Sequence, residues 1–227
     1  MTEKQHFNIP LVDWINKQGI ALVVIDMQKN MFEINPFCDY GKNNRHNMDY
    51  FKRSIIVAIK NVKRLLDFFR DNNLMVIYTQ LGHEYKDIRD ASTIQKRRFY
   101  DEHLHMSSNN SEIFNMRGFE QYEIIDEIHP LKDETIIQKS TSCAFVATKL
   151  DFILRNNSIN KLIICGAATN CCVESTVRIA YDLGYLPTVV SDACIAANED
   201  FHKNALTGLK TYYSNVMSIE EIINYFD

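Results

Sequence analysis

The sequence lacks long apolar segments and a signal-like start. No uninterrupted apolar run in its 227 residues approaches the roughly 20 residues that a membrane-spanning helix needs. The opening segment, MTEKQHFNIP, is polar and does not contain the apolar core of a signal peptide. We therefore expect a cytoplasmic protein without a membrane partner.

The sequence also lacks an excess of basic residues. Its 25 lysines and arginines are outnumbered by 29 aspartates and glutamates, and the formal net charge is −4. Proteins that bind the phosphates of nucleic acid generally present a basic surface. Nucleic acid is therefore not an expected partner. We find no internal repeat and no low-complexity tract.

A disulfide framework is missing as well. The cysteines follow no regular spacing: Cys38, Cys143, Cys165, Cys171, Cys172 and Cys194. This irregular set indicates reduced thiols in a cytosol-like compartment. Cys165 lies inside the apolar run LIIC and is expected in the core. Cys171 and Cys172 stand side by side in CGAATNCCVEST, after a short turn of small residues.

Short apolar runs alternate with amphipathic segments along the chain. Strands are predicted at 20–26, 74–79, 134–139, 161–166, 186–192 and near 214–217, and helices at 54–73, 144–157, 171–184, 199–212 and after 218. Ser218 and Glu221 have the spacing of a capping box for the last helix. The alternation predicts an α/β fold with a doubly wound, mainly parallel six-stranded sheet flanked by helices, in a Rossmann-like three-layer arrangement.

A composition of 46% hydrophobic and 24% charged residues fits a single compact domain spanning 1–227. The alternation is lost between about residues 80 and 130, where the chain is polar, aromatic and mixed in charge. A loop this long is usually either functional or disordered, and the aromatic residues argue against disorder. We expect this insertion to form a lid or a wall of the substrate site.

Three chemically active residue types occur where the predicted strands end. Ligands bind at the carboxyl ends of strands in such sheets, and Asp26 and Lys139 end the first and third strands. Singly, each is also compatible with a solvated strand end. A thiol in the first turn of a helix has a lowered pKa, which a lysine lowers further, and a carboxylate can accept its proton. An aspartate, a lysine and a cysteine at these strand ends together indicate a thiol nucleophile with a base and a stabilising cation. The residues alone do not decide whether Cys171 or Cys172 is that nucleophile.

Three segments resemble the signatures of the isochorismatase-like cysteine hydrolases: ALVVIDMQ (21–28), KSTSCAF (139–145) and GAATNCCVESTVRIA (166–180). The resemblance covers nearly the whole chain in the expected order. It implies a catalytic triad of Asp26, Lys139 and Cys172. Cys172 matches the family nucleophile because it stands three residues after Thr169 and just before a valine. Cys171 occupies a position that varies among relatives and is expected to be a small buried or pocket-lining residue.

The resemblance also implies details of the nucleophile turn and of the reaction. A cis peptide bond without proline is expected between Ala167 and Ala168, and the backbone N–H groups of Ala168 and Cys172 are expected to form the oxyanion hole. Asp26 would take the proton of Cys172 while Lys139 stabilises the thiolate. A thioester would form and be hydrolysed, with release of ammonia or an amine and without a cofactor.

The substrate class follows from departures within the family. The isochorismatases themselves use no cysteine nucleophile, so that activity is not expected. Nicotinamidases bind a metal after the second strand, but here Leu81 and Arg89 replace two of the ligands and only His83 remains. GAATNCCVESTVR is similar to the ureidoacrylate-type amidohydrolases, and GHEY, RGFEQYEIIDEIHP and ETIIQK resemble biuret-type hydrolases. A small amide, ureide or carbamoyl substrate is therefore expected.

Five residues are candidates for binding that substrate: His83, Arg117, Phe32, Phe145 and Asn170. His83 would bond a substrate oxygen or be a solvated loop residue. Arg117 would clamp a carboxylate or lie on the surface. The two phenylalanines would line the pocket or belong to the core, and Asn170 would line the pocket or cap the helix beginning at Cys171.

Several alternatives stay open at the level of sequence. His103 and His105 form an HLH pair without an obvious third ligand, so no metal is expected. The alternative functions are a binding protein without turnover, a nicotinamidase-like amidase and a redox sensor built on the cysteine pair. Thiol reactivity distinguishes these readings, because a catalytic cysteine is alkylated rapidly near neutral pH. Relatives commonly form dimers or tetramers, which implies a homo-oligomer.

Overall fold

The structure, a computed structural model, describes residues 17–32, 48–97 and 116–226. Cys38, His103 and His105 lie outside these ranges. Within them, every helix is too short or too polar to cross a bilayer.

Six parallel strands form one sheet. They are β1 (Ile20–Ile25), β2 (Met75–Leu81), β3 (Thr135–Lys139), β4 (Lys161–Ala167), β5 (Leu186–Ile195) and β6 (Asn215–Met217), in the spatial order β3-β2-β1-β4-β5-β6. Each neighbouring pair is parallel, which confirms the predicted sheet. The strand order reverses between β1 and β4, and the crevice outside their carboxyl ends is where doubly wound sheets bind ligands.

The helices are α1 (Met48–Asp71), α2 (Leu150–Asn156), α3 (Glu174–Asp182), α4 (Glu199–Tyr212) and α5 (Ile219–Phe226). The predicted capping box is present, because Ser218 N donates to Glu221 Oε2 at 2.6 Å and Glu221 N donates to Ser218 Oγ at 3.3 Å. The helix predicted from residue 144 begins only at Leu150. Ala147 has a φ of 56°, in the left-handed region that a right-handed helix cannot include.

The core lies on both faces of the central strands. Every residue of β1 and of β4 is buried, which explains why their sequences are continuous apolar runs. On α1, Val62, Leu65 and Phe69 are fully buried at helical spacing. Cys165 is also fully buried, as its apolar surroundings predict.

The irregular region between β2 and β3 packs partly across the carboxyl edge of the sheet. It contains two short 3₁₀ turns, Glu120–Tyr122 and Asp126–Ile128. Ile125 N donates to Met27 O at 3.1 Å, so this segment runs beside the chain that leaves β1. The side chain of Gln28 also donates to the Tyr122 carbonyl oxygen at 2.7 Å. Since residues 98–115 are outside the described ranges, a lid role remains a prediction.

Candidate active site

Asp26 is fixed at the end of β1 by its neighbour in β2. Its backbone has a φ of 48°, which is uncommon for a residue other than glycine and is found at functional sites. Its N–H donates to the Thr79 carbonyl oxygen at 3.2 Å, and Thr79 Oγ1 donates to Asp26 Oδ1 at 2.5 Å. The carboxylate is completely buried, so Asp26 is not a solvated strand end.

Lys139 meets Asp26 at the end of β3. Its Nζ lies 2.6 Å from Asp26 Oδ2, and neither side chain is exposed to solvent. The ammonium also donates to the carbonyl oxygens of Thr141 at 3.0 Å and Ser142 at 3.1 Å. Burial alone would lower the pKa of Lys139, but the Asp26 carboxylate and the Cys172 thiol raise it above its ordinary value. Lys139 is therefore a permanent cation at neutral pH.

The turn that carries the cysteines begins at Gly166, near the end of β4. Gly166 has a φ of 115° and pairs with Ile25 of β1, and a Cβ atom there would overlap the Ile25 backbone oxygen. Only glycine allows this conformation and this approach. A cis peptide bond joins Ala167 to Ala168, and a π-helical turn follows over Thr169–Val173. This replaces the first part of the helix predicted from residue 171.

The two adjacent thiols differ in exposure. Cys172 is buried, with 3% of its surface exposed, and its thiol contacts the Lys139 ammonium. Cys171 is exposed, which excludes the buried position considered for it, and its thiol donates to Ser142 Oγ at 3.7 Å. The Asp26–Lys139 pair therefore faces Cys172, which is the arrangement a nucleophile with a base and a cation requires.

The thiols share a hydrogen bond, and it separates their pKa values. The bond to Cys172, aided by Ser142 and Lys139, lowers the pKa of Cys171 to about 6. The same bond, together with burial and the Asp26 carboxylate, raises the pKa of Cys172. A buried thiol with a raised pKa needs a nearby base to accept its proton before it can act as a nucleophile.

The residues around the turn form an apolar pocket. Ala167, Ala168 and Phe32 line it, so the structure brings Phe32 to the nucleophile turn. The other lining residues are Met31, Phe51, Ile195, Ala196 and Ala197. Sequence reasoning missed these because their apolar patterns do not differ from those of core residues. The oxyanion role of the Ala168 and Cys172 N–H groups stays a prediction.

The sequence model of the isochorismatase domain matches residues 20–221. The chain belongs to the isochorismatase family. It is thus an enzyme, a hydrolase of this family, and the family resemblance of its three signature segments is confirmed.

Known relatives match over most of their length. Ureidoacrylate amidohydrolase RutB of Acinetobacter baylyi is 27% identical over 210 residues, which cover 91% of this chain and 83% of that protein. The protein of the same name from Yersinia enterocolitica is 29% identical over 208 residues, covering 90% of this chain and 87% of that protein.

Solved structures share the fold. A cysteine hydrolase from Pseudomonas syringae pv. phaseolicola has a TM-score of 0.76 at 24% identity, covering 93% of this chain and 94% of that one. N-carbamoylsarcosine amidase from Thermoplasma acidophilum has a TM-score of 0.66 at 24% identity, covering 88% of this chain and 96% of that one. At these identities the likeness is one of fold.

His83 and Arg117 lie together beyond β2 of this isochorismatase-family chain. Arg117 N donates to His83 O at 3.0 Å, and the Arg117 guanidinium contacts the Tyr122 hydroxyl. One guanidinium nitrogen pairs with Glu84 at 3.3 Å, but the buried Nε atom has no hydrogen-bond partner in the described part of the chain. His83 Nδ1 is 3.3 Å from Asp90 Oδ1, so His83 is not a freely solvated residue.

Phe145 and Asn170 each had two positions open to them. Phe145 is buried, and its ring centroid lies 5.5 Å from that of Tyr185, which precedes β5. Phe145 therefore packs in the core, the second position considered for it, and its part in substrate binding stays a prediction. Asn170 is exposed on the π-helical turn, and neither this turn nor α3 has a side-chain cap, so Asn170 does not cap a helix.

Arg89, which stands where a nicotinamidase-like site would have a metal ligand, is engaged with other residues. Arg89 pairs with Asp87, at 3.0 Å between Nε and Oδ1, and its guanidinium lies over the Tyr85 ring. In ranges 17–32, 48–97 and 116–226, no group of three or more histidine, cysteine or acidic residues has an arrangement that would hold a metal ion.

Sequence reasoning missed two residues that organise the site. Thr79 binds Asp26, and Gln28 bridges β2 and the Tyr122 segment through its side chain. A threonine and a glutamine next to buried apolar strands were the available signals, because buried polar groups need hydrogen-bond partners.

Proposed function

We propose that the protein is a cysteine-dependent hydrolase that cleaves a C–N bond of a small amide, ureide or carbamoyl compound. The buried Asp26–Lys139 pair, 2.6 Å apart and in contact with Cys172, carries this proposal. A fully buried pair of opposite charges costs desolvation energy and is seldom needed for stability alone. Beside a buried thiol it supplies both a proton acceptor and a fixed positive charge.

The proposed mechanism uses these three groups. Asp26 accepts the Cys172 proton, and Lys139 stabilises the resulting thiolate by its charge. The thiolate attacks the substrate carbonyl, and the oxyanion accepts hydrogen bonds from the backbone N–H groups of Ala168 and Cys172. Asp26 then gives its proton to the departing nitrogen, which leaves as ammonia or an amine. Asp26 activates water, and the water hydrolyses the thioester.

A substrate with both a carbamoyl group and a carboxylate suits the site best. The relatives from Acinetobacter and Yersinia are ureidoacrylate amidohydrolases, and one structural neighbour is an N-carbamoylsarcosine amidase. Both named compounds combine these two groups. Arg117 is the candidate for binding that carboxylate, because its Nε has no hydrogen-bond partner among residues 17–32, 48–97 and 116–226.

The decisive experiment measures ammonia release from ureidoacrylate, biuret, N-carbamoyl amino acids, nicotinamide and a simple aliphatic amide. Cys172→Ala should abolish release, whereas Cys171→Ala, its matched control one position away, should retain it. Full activity in Cys172→Ala would refute the nucleophile assignment. Failure of every compound with the wild type would favour a binding protein without turnover. Assembly into dimers or tetramers and the cytoplasmic location remain predictions.

A further inference from the structure

A histidine from α4 contacts the turn that carries the nucleophile. His202 Nδ1 lies 2.9 Å from Thr169 Oγ1, and Thr169 is completely buried at the first position of the π-helical turn. Thr169 stands between the cis peptide bond and the two cysteines. A contact to its hydroxyl therefore acts on the segment that aims Cys172 at Lys139.

His202 has a second partner in the backbone of Ser191, and this hydrogen bond favours the protonated ring. The direction of the Thr169 contact depends on the tautomer of the imidazole. The neutral tautomer with its proton on Nε2 would leave Nδ1 free to accept the hydroxyl proton of Thr169.

Ser191 lies where β5 departs from regular pairing. Ile164 of β4 pairs with Val189, but Gly166 pairs with Cys194, so β5 contains extra residues between these positions. Such a bulge leaves backbone groups outside the ladder. His202 therefore links a carbonyl of the β5 bulge to the nucleophile turn at the end of β4.

We infer that His202 is a positioning residue that holds the nucleophile turn through the Thr169 hydroxyl. This inference rests on the proposed function of Cys172. Within residues 17–32, 48–97 and 116–226, His202 contacts the nucleophile turn at the Thr169 hydroxyl, so it would act on Cys172 through that turn.

The surroundings of His202 favour its neutral form. Burial lowers the pKa of His202 below the ordinary value, and Lys203 lowers it further, whereas Glu199 raises it. The residue lies in the first turn of α4, after the cap formed by Asn198, where the helix dipole disfavours a positive charge. A neutral ring retains the acceptor that Thr169 needs.

Two pairs of variants test this role, because one member of each pair keeps the hydrogen bond between residues 202 and 169 and the other removes it. His202→Asn keeps an acceptor near the position of Nδ1, whereas His202→Gln keeps a donor near the position of Nε2 and abandons Thr169. Thr169→Ser keeps the hydroxyl, and Thr169→Val removes it. All are made in Cys171→Ala protein, so that iodoacetamide alkylation mapped to Cys172 reports the nucleophile without its neighbour.

His202→Gln and Thr169→Val should each slow alkylation of Cys172 about fivefold or more, since each loses one buried hydrogen bond that orients the turn. His202→Asn and Thr169→Ser should remain within about twofold of the parent, and the double variant Thr169→Val/His202→Gln should be no slower than Thr169→Val. Thermal midpoints recorded in parallel measure the structural effect.

Two outcomes would overturn the inference. One is an unchanged rate in His202→Gln while the parent Cys172 reacts rapidly. The other is equal slowing in His202→Asn and His202→Gln that follows their loss of thermal stability, because a purely structural histidine predicts that result. If Cys172 of the parent reacts no faster than the buried Cys143, the proposed function fails as well, and the two failures are thereby distinguished.

Discussion

The Asp26–Lys139 pair gives the sharpest test of the site, because removing both partners should cost less than the sum of the two single removals. Neither side chain is exposed, and the charges are 2.6 Å apart. Asp26→Asn or Lys139→Met leaves a buried charge without its partner, which costs about 3–5 kcal/mol. Against a folding free energy of about 5–15 kcal/mol, either single change consumes much of the stability.

The double variant Asp26→Asn/Lys139→Met removes both charges of the pair. Its loss of unfolding free energy comes mainly from the carbonyl oxygens of Thr141 and Ser142, because each loses the hydrogen bond from Lys139, at a cost of about 1–3 kcal/mol per oxygen. The two single losses should therefore exceed the double loss by about 4 kcal/mol. Urea unfolding followed by circular dichroism, with linear extrapolation and a reductant present, measures these free energies.

Lys161→Met is the matched control. Lys161 is also buried, but its ammonium donates to the neutral Gln18 carbonyl at 3.0 Å and to Asn160 Oδ1 at 3.2 Å. Its removal should cost about 1–3 kcal/mol and leave ammonia release intact. Losses in the Asp26 and Lys139 variants that add within about 0.5 kcal/mol would refute the reasoning, as would a Lys139→Met loss no larger than that of Lys161→Met.

The pH dependence of Asp26→Asn supplies a second check on the same pair. In the wild type the pKa of Lys139 is raised, so its contribution is complete below the ordinary value of 10.5 and is lost only as pH rises through the folded value. Without the Asp26 charge, burial lowers this pKa and the unfolded chain binds more protons. The deficit of Asp26→Asn should therefore shrink between pH 7 and 9.5, and a constant deficit would contradict this account.

Three further predictions concern separate parts of the molecule. Gly166→Ala should abolish soluble folded protein, since the new Cβ would overlap the Ile25 backbone; normal yield and circular dichroism would contradict this. Glu134→Gln should cost about 1–3 kcal/mol in urea unfolding at pH 7, because it breaks the bidentate bond to Arg70. Burial alone would raise the pKa of Glu134, but Arg70 lowers it below 4.5, so the difference from wild type should fade as pH drops below that value and should not fade in an Arg70→Met background. Alkylation of Cys171 should reach half its maximal rate near pH 6, and this midpoint should rise in Cys172→Ala, where the hydrogen bond that lowers the pKa of Cys171 is gone; an unmoved midpoint would assign the shift to other groups.

The meeting of Asp26 and Lys139 was predictable because both follow apolar strands, and carboxyl ends of parallel strands meet at one edge. The choice of Cys172 over Cys171 was not, since both occupy the same turn and only the family resemblance separated them. The sequence also left open whether Phe145 lines the pocket or belongs to the core. An aromatic residue near a signature segment has the same local pattern whether its ring faces a pocket or the core, and only its contact with Tyr185 decides.

The hydrophobic periodicity of the sequence could not predict contacts between distant segments. His202 lies on a helix whose bounds, Glu199–Tyr212, agree with the prediction, yet nothing in that helix indicates a partner in Thr169. The contact depends on the bulge in β5, where extra residues change the pairing register with β4. The apolar run in the sequence does not show where these extra residues lie. The position of α4 could be predicted from its local sequence pattern, whereas the role of His202 depends on how α4, β5 and the nucleophile turn pack together.

The glycine that opens the GAATN segment is needed for the fold and also positions the nucleophile turn. Gly166 pairs with Ile25, and Asp26 is the next residue along β1, so the approach of β4 to β1 sets the distance between the nucleophile turn and its base. Any side chain at Gly166 would push the strands apart. Glycine at this position therefore serves the fold and the chemistry together, because the close approach of the strands that it allows also keeps Cys172 beside the Asp26–Lys139 pair.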